Sequence, residues 1–253
     1  MTFKEFVHRY IIVHKCAGCS EILEYERSGE AFCQICKLAW NTAKTENCGE
    51  CFKEISECAC MPKKLSSAGA LTLRRLCYYS PERAGDPQNR LIYKLKNAKN
   101  KRYARFVAEQ IKPALIKEIK NLVDTDAVDV SQRFLITYVP RSKKAVINNG
   151  VDQSELICHE LSELTGIPCV QAIKRIKSGK EQKKLTSAER FRNTEALFAL
   201  SKDVSLSGKF VILFDDIVTT GASMTACTKL LRKGWAKGRL CFCIATDKFR
   251  RAR

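Results

Sequence analysis

Asp215 and Asp216 stand side by side after five consecutive apolar residues, Phe210-Val211-Ile212-Leu213-Phe214, and shortly before the turn Thr219-Thr220-Gly221-Ala222-Ser223. An unbroken run of β-branched, aliphatic and aromatic residues reads as a strand buried on both faces. Open parallel sheets bind ligands outside the carboxyl ends of their strands, which is where these two carboxylates fall. The turn then opens into an amphipathic run ending Leu230-Leu231-Arg232-Lys233-Gly234. Such a turn can cradle an anion. Gly221 lets the backbone come close, the hydroxyls of Thr219, Thr220 and Ser223 donate, and a helix N-terminus favours negative charge. Paired carboxylates suit neighbouring hydroxyls, so the whole stretch asks for a ligand such as a ribose phosphate.

A second group of donors follows another apolar run. Phe134 to Val139 reads as a buried strand that Pro140 ends, and Arg141-Ser142-Lys143-Lys144 makes a basic loop beyond it. Two or three cationic side chains beside backbone amides suit a pyrophosphate, whose charge needs several donors. A helix over 153–164 comes next, stopped by Gly166-Ile167-Pro168.

The third chemistry-bearing group is cysteine. Cys16-x-x-Cys19, Cys33-x-x-Cys36, Cys48-x-x-Cys51 and Cys58-x-Cys60 crowd into the first quarter of the chain. A Cys-x-x-Cys knuckle grips one metal from a tight turn, and two knuckles complete a tetrahedral zinc site. Sequential pairing gives one site from Cys16, Cys19, Cys33 and Cys36 and another from Cys48, Cys51, Cys58 and Cys60. Interleaved pairing stays open at this level. Cys58-x-Cys60 is one residue short of a knuckle, so the first site is expected to hold metal longer under chelation.

These groups need a scaffold to hold them. At 253 residues, 45% of them apolar, the chain has room for one α/β domain plus a small module. A boundary near residue 65 is expected, with 61–68 as a linker, a cysteine module over 1–65 and the larger domain over 66–253. Within the latter, Gly69–Ser80, 134–139, 210–214 and 240–245 read as strands of a mostly parallel sheet with helices on both faces, the last three as inner strands. Fourteen cysteines without a secretory leader favour a reducing, cytoplasmic setting and metal ligation over disulfides. No run is long enough for a membrane span.

The formal charge of +18 lies in the larger domain: residues 1–65 carry nine basic and nine acidic side chains, whereas 66–206 carry 26 against 15 and 207–253 carry 10 against 3. A basic and aromatic stretch, 89–106, holds Tyr93, Lys94, Lys96, Lys101, Arg102, Tyr103 and Arg105, on two helices with a polar break near 97–101. Lysines can neutralise a phosphate backbone while rings stack on bases, so these seven residues are the expected grip on single-stranded DNA.

Residues 211–223 resemble the phosphoribosyl pyrophosphate (PRPP) motif of type I phosphoribosyltransferases: hydrophobics, two acidic residues, then Thr-Thr-Gly-small-Ser. Val139-Pro140 with Asn149-Gly150-Val151-Asp152-Gln153, and the series Arg175, Gln182, Leu185, Arg190, Asn193 and Phe198, narrow the resemblance to the ComF family (competence protein F), as do the cysteine pairs. Asn149 and Val151 depart from its usual Arg and aromatic residue. The resemblance implies a Rossmann-like type I phosphoribosyltransferase fold, with a parallel sheet, behind a double zinc ribbon. It implies two structural Zn²⁺ ions, and Mg²⁺ arriving with PRPP. It places the ribose hydroxyls on Asp215 and Asp216, the 5′-phosphate on Val218–Ser223, and the pyrophosphate on Arg141, Ser142, Lys143 and Lys144. Gln182 and Arg190 join Asp215 and Asp216 as implied catalytic residues, the first two on a loop, 177–192, that closes over the site. The implied role is in DNA uptake during natural transformation, with single-stranded DNA and other uptake proteins as partners. The alternative is an active transferase of nucleotide or base salvage. The acceptor and any self-association are left open.

Overall fold

The computed structural model describes residues 13–97, 100–123, 129–150, 152–176 and 194–247. Its centre is a four-stranded, all-parallel sheet formed by β1 (Thr72–Tyr78), β2 (Phe134–Tyr138), β5 (Phe210–Val218) and β6 (Gly238–Thr246), in the spatial order β1-β6-β5-β2. β3 (Ile173–Arg175) and β4 (Phe198–Leu200) pair antiparallel in a separate ribbon. β5 and β6 are inner strands, as their unbroken apolar runs require. β2 is the last full strand of the sheet. Its outer edge is partly covered, because Ile136 exchanges backbone hydrogen bonds with Pro168 and Val170. The expectation that 134–139 is an inner strand is met only to that extent.

Helices cover both faces, and the strand side chains divide between them. Phe210, Ile212 and Phe214 join one core, packed beneath α3 (Pro87–Asn97), α4 (Lys101–Leu122) and α7 (Gln153–Thr165). Val211 and Leu213 join the other, beneath α8 (Ala222–Lys233). Each fully buried side chain of this kind stabilises the fold by roughly 1.5–3 kcal/mol, so β5 is anchored from both sides. Phe134 and Phe210 stack across the β2–β5 pair at 5.1 Å.

The cysteine-rich segment is packed against the sheet domain. Its helix α1 (Gln34–Lys44) places Trp40 against Phe32 and against Phe106 of α4, and this cluster merges with the core under α3 and α4. The stretch expected to be a linker folds instead: α2 (Lys63–Ser67) buries Leu65 completely in the α8-side core. Leu65, with Met61 against the same core and Ala68 buried, is enough to dock a single turn in a stretch whose composition read as loose. The basic loop after β2 is likewise shorter than expected. Ser142 accepts a hydrogen bond from the Ala145 N–H and caps a short helix, α6 (Lys143–Asn149), so Lys143 and Lys144 occupy its first turn. A last short turn, α5 (Val130–Arg133), leads into β2. Among the described residues no helix is long and apolar enough to cross a membrane.

Candidate functional site

Strand alternation sends Asp215 and Asp216 to opposite faces at the carboxyl end of β5. Asp216 lies on the face of Phe214, where Gln153, the first residue of α7, donates to its carboxylate and Lys96 of α3 stands 3.4 Å away. Asp215 faces α8. Burial, and then the neighbouring Asp216 carboxylate, hold its proton well above the ordinary carboxylate range. The strand end thus carries one carboxylate already paired with a cation and one that ionises reluctantly until something positive or hydrogen-bonding approaches it.

The turn after β5 lies directly beyond. Gly221 adopts the left-handed backbone (φ 73°) as the N-cap of α8, a conformation that suits glycine, and its carbonyl accepts from Thr225. The first-turn amides of a helix have no intrahelical acceptor; here the Ala222 N–H donates to Thr220 Oγ1, and Ser223 and Met224 line the cleft with the exposed Thr219 and Thr220. This cleft has a volume of about 60 Å³ and is lined by Asp215 and by Ile217–Met224.

A larger cavity of about 1310 Å³ opens at the end of the neighbouring strand, β2. Arg141, Ser142, Lys143 and Lys144 form one wall, and Lys174 and Arg175 of β3 form another. Arg141 Nη1 and Arg175 Nε are buried and have no hydrogen-bond partner among the described residues. Arg175 packs its guanidinium on the Phe198 ring, 5.4 Å from the centroid. Five cations and two orphaned N–H groups make this cavity an anion site. Asp152 sets its shape: it caps α7 by accepting from Ser154 and Glu155, and it also accepts from the Arg141 N–H at 2.9 Å. Val139 N–H donates to Phe214 O at 2.9 Å, so the two strand ends, and the two clefts, are joined by backbone.

The cysteines assemble sequentially. The sulfurs of Cys16, Cys19, Cys33 and Cys36 lie within 4.8 Å of one another, and so do those of Cys48, Cys51, Cys58 and Cys60. Tetrahedral zinc, with Zn–S near 2.3 Å, spaces its sulfurs about 3.8 Å apart; Cys19 and Cys33 are 3.7 Å apart here. Each group can hold a zinc ion. Burial opposes ionisation of Cys48, but the N–H groups of Cys51 and Glu50 outweigh it and bring the thiol to about 6, while burial and neighbouring thiols push Cys60 well up. Such a group reaches four thiolates only around a cation. The second group also has a cation of its own, which the sequence reading missed. Arg75 of β1, 1% exposed, donates to Cys58 Sγ at 2.9 Å and to Cys60 O at 2.7 Å. The pair Arg74-Arg75 inside an otherwise largely apolar strand was the available signal.

The residues expected to grip DNA have partners inside the protein. Lys94 donates to Cys16 O and Ser20 Oγ; Arg102 donates to Lys15 O, Ser28 O and Glu30 O; Arg105 pairs with Glu109, Glu160 and Glu163; and Lys96 pairs with Asp216. Tyr103 is buried, with its hydroxyl on Lys15 O. Lys101 and Tyr93 are the exposed members of the set. This cationic face docks the cysteine module and reaches the Asp216 carboxylate. Gln182 and Arg190, with the loop 177–192, lie outside the described residues, as does Val151. Gln153 and Asp152 were not singled out as site residues, although Asp152 before an apolar helical run is a recognisable N-cap; Lys96 was singled out, but for DNA rather than for Asp216.

No protein-family model matches the chain. It is 25% identical over 220 residues to the DNA utilization protein YhgH of Escherichia coli (strain K12), covering 84% of this chain and 88% of that one. It is 34% identical over 86 residues to competence protein F of Haemophilus influenzae, covering 33% of this chain and 38% of that protein. Among solved structures it is similar to the glutamine PRPP amidotransferase of B. subtilis, at 18% identity and a TM-score of 0.35 over 62% of this chain; it spans about a quarter (27%) of that enzyme.

Two expectations follow. Asp215 holds its proton more tightly folded than unfolded, so the stability it costs grows as pH rises from the ordinary carboxylate range to its raised folded pKa and remains in full above it. Asp215→Asn should therefore raise Tm by a few degrees at neutral pH in thermal melts, and a lowered Tm would contradict the reading. Contrary to the order expected from spacing alone, metal should leave the Cys16 group first under a competing chelator. Its Cys19 is exposed, whereas no ligand of the Arg75-backed group is. Two-phase release, with the slow phase accelerated by Arg75→Met, is the expected trace; a slow phase assigned to the Cys16 group by Cys19→Ser would reverse it.

Proposed function

We propose that this chain is a PRPP-binding protein of the ComF type that works in the handling of incoming DNA. The observation that carries the reading is the pair of clefts at adjacent strand ends. An acidic pair with a hydroxyl-lined turn follows β5, and a cationic cavity with orphaned guanidinium N–H groups follows β2. PRPP has the matching order of groups: a 5′-phosphate, two ring hydroxyls and a pyrophosphate at C1. The 5′-phosphate goes to Thr219–Ser223, and the hydroxyls to Asp215 and Asp216. The pyrophosphate goes to Arg141 and the first turn of α6, with Arg175 on the far wall. Mg²⁺ bound with the ligand would offset its charge, since this ion keeps substrate oxygens and water as ligands. The similarity to proteins named for DNA utilization and competence supports the DNA-handling part.

The chain's own residues would do three things. Asp215 and Asp216 orient the ribose; Gln153 keeps Asp216 in place; the basic cavity draws charge away from C1 as the pyrophosphate leaves. A second reading, turnover to a nitrogen nucleophile, has one observation in its favour: a cavity of about 1310 Å³ leaves room beside a pyrophosphate. We place the protein in the cytoplasm, with zinc in both cysteine groups. The module of 1–65 and the domain of 66–253 act as one docked body through α3 and α4.

Calorimetric titration of the full chain with PRPP and Mg²⁺ tests the reading. Asp215→Ala and Asp216→Ala should each weaken binding about tenfold or more, because a hydrogen bond to a charged group contributes about 1.5–3 kcal/mol. Equal affinity in both variants would place the ligand elsewhere. Pyrophosphate release in the presence of candidate bases would separate turnover from binding.

A further inference from the structure

We propose that the amino-terminal edge of the sheet, at the far end of the strands from the ribose–phosphate site, binds single-stranded nucleic acid through Trp235. The starting observation is a residue in the wrong kind of place. After α8 the chain turns back on itself: Trp235 N–H donates to Arg232 O and Ala236 N–H donates to Leu231 O, both at 3.1 Å. This pair of bonds is a Schellman motif, whose left-handed position glycine normally fills. Here that position holds Trp235, at φ 64°. The glycine stands one residue earlier, because a Cβ at Gly234 would lie 2.9 Å from both Leu200 and Leu206. A left-handed backbone is unfavourable for a bulky side chain. The indole gains little inside the protein in return, since it is 81% exposed, against 1% for Trp40. A residue that breaks a local rule without an internal gain marks a functional position.

The surroundings say what it meets. Arg232, Lys233 and Lys237 are exposed beside it, and among the described residues none of the three forms a salt bridge. Lys237 N–H donates to Lys209 O at 2.8 Å, which brings a fourth cation, the third lysine, to the same edge. From Val204 to Thr246 the sequence contains two acidic residues, Asp215 and Asp216, and both lie at the opposite end of β5. Within this stretch the exposed ring therefore stands among cations, with its two acidic residues at the far end of the strand. Cations neutralise phosphates, and a solvent-facing indole stacks on a base. A base offers its face only when unpaired, so the ligand is a single strand. The inference does not depend on PRPP binding, because the two sites share no residue.

The test uses the full chain and a short oligo(dT). Trp40 is buried, so quenching of tryptophan emission on addition of the strand reports Trp235 directly. Trp235→Ala should abolish the quench and weaken binding, read by anisotropy of a labelled strand, on the order of tenfold, while Trp235→Phe keeps most of it. Lys233→Ser with Lys237→Ser should lower the slope of log affinity against log salt by about 1.4. PRPP binding should be unchanged in all of these variants, which separates this site from that one. The proposal falls if oligo(dT) does not bind, if Trp235→Ala binds as tightly as the parent chain, or if duplex DNA or polyglutamate quenches equally well.

Discussion

Two carboxylates on adjacent residues at the end of a buried strand repel each other, and much of the structure around them answers that repulsion. Asp216 is held by Gln153 and Lys96, whereas Asp215 keeps its proton well above the usual range. Neither arrangement favours the fold at neutral pH as much as an apolar strand end would. A central strand that tolerates them must be anchored elsewhere, and β5 is: five apolar residues lie in two cores, with parallel partners on both sides. The stability of the sheet supports a strained site at its rim, which is the usual relation between a scaffold and a binding constellation.

The same interaction ties the cysteine module to the site. α3 carries Arg90 and Lys94 to the carbonyls of Gly18 and Cys16, and two residues further Lys96 to Asp216. Arg75 does the equivalent for the second cysteine group from within β1. Cationic residues that look from composition like a surface for a polyanion are therefore largely internal fasteners. A four-thiolate zinc centre would be negative, and these cations would give it counter-charges.

What the sequence made legible follows from how local each signal is. The strand, acidic pair and glycine turn of β5 are contiguous, so their chemistry and their place at a strand end could be read together. The cysteine spacings fixed the ligands, though not their pairing. The contacts of Lys94, Arg102 and Arg105 were not legible, because a basic helix face looks the same whether it meets solvent, carbonyls or carboxylates. Gln153 and Lys96 reach Asp216 across 63 and 120 positions of chain, distances over which no periodicity speaks. Leu65 shows the reverse error: a polar stretch hides a side chain that docks.

The central claim is that the two clefts at the ends of β5 and β2 together receive one PRPP. A crystal structure of the full chain grown with PRPP and Mg²⁺ tests it most directly. The account predicts the 5′-phosphate on the amides and hydroxyls of Thr219–Ser223, the pyrophosphate between Arg141 and Arg175, and Lys96 displaced from Asp216 by the ribose. PRPP bound outside both clefts, or bound with the Lys96–Asp216 contact intact and no contact to Asp215, would contradict it.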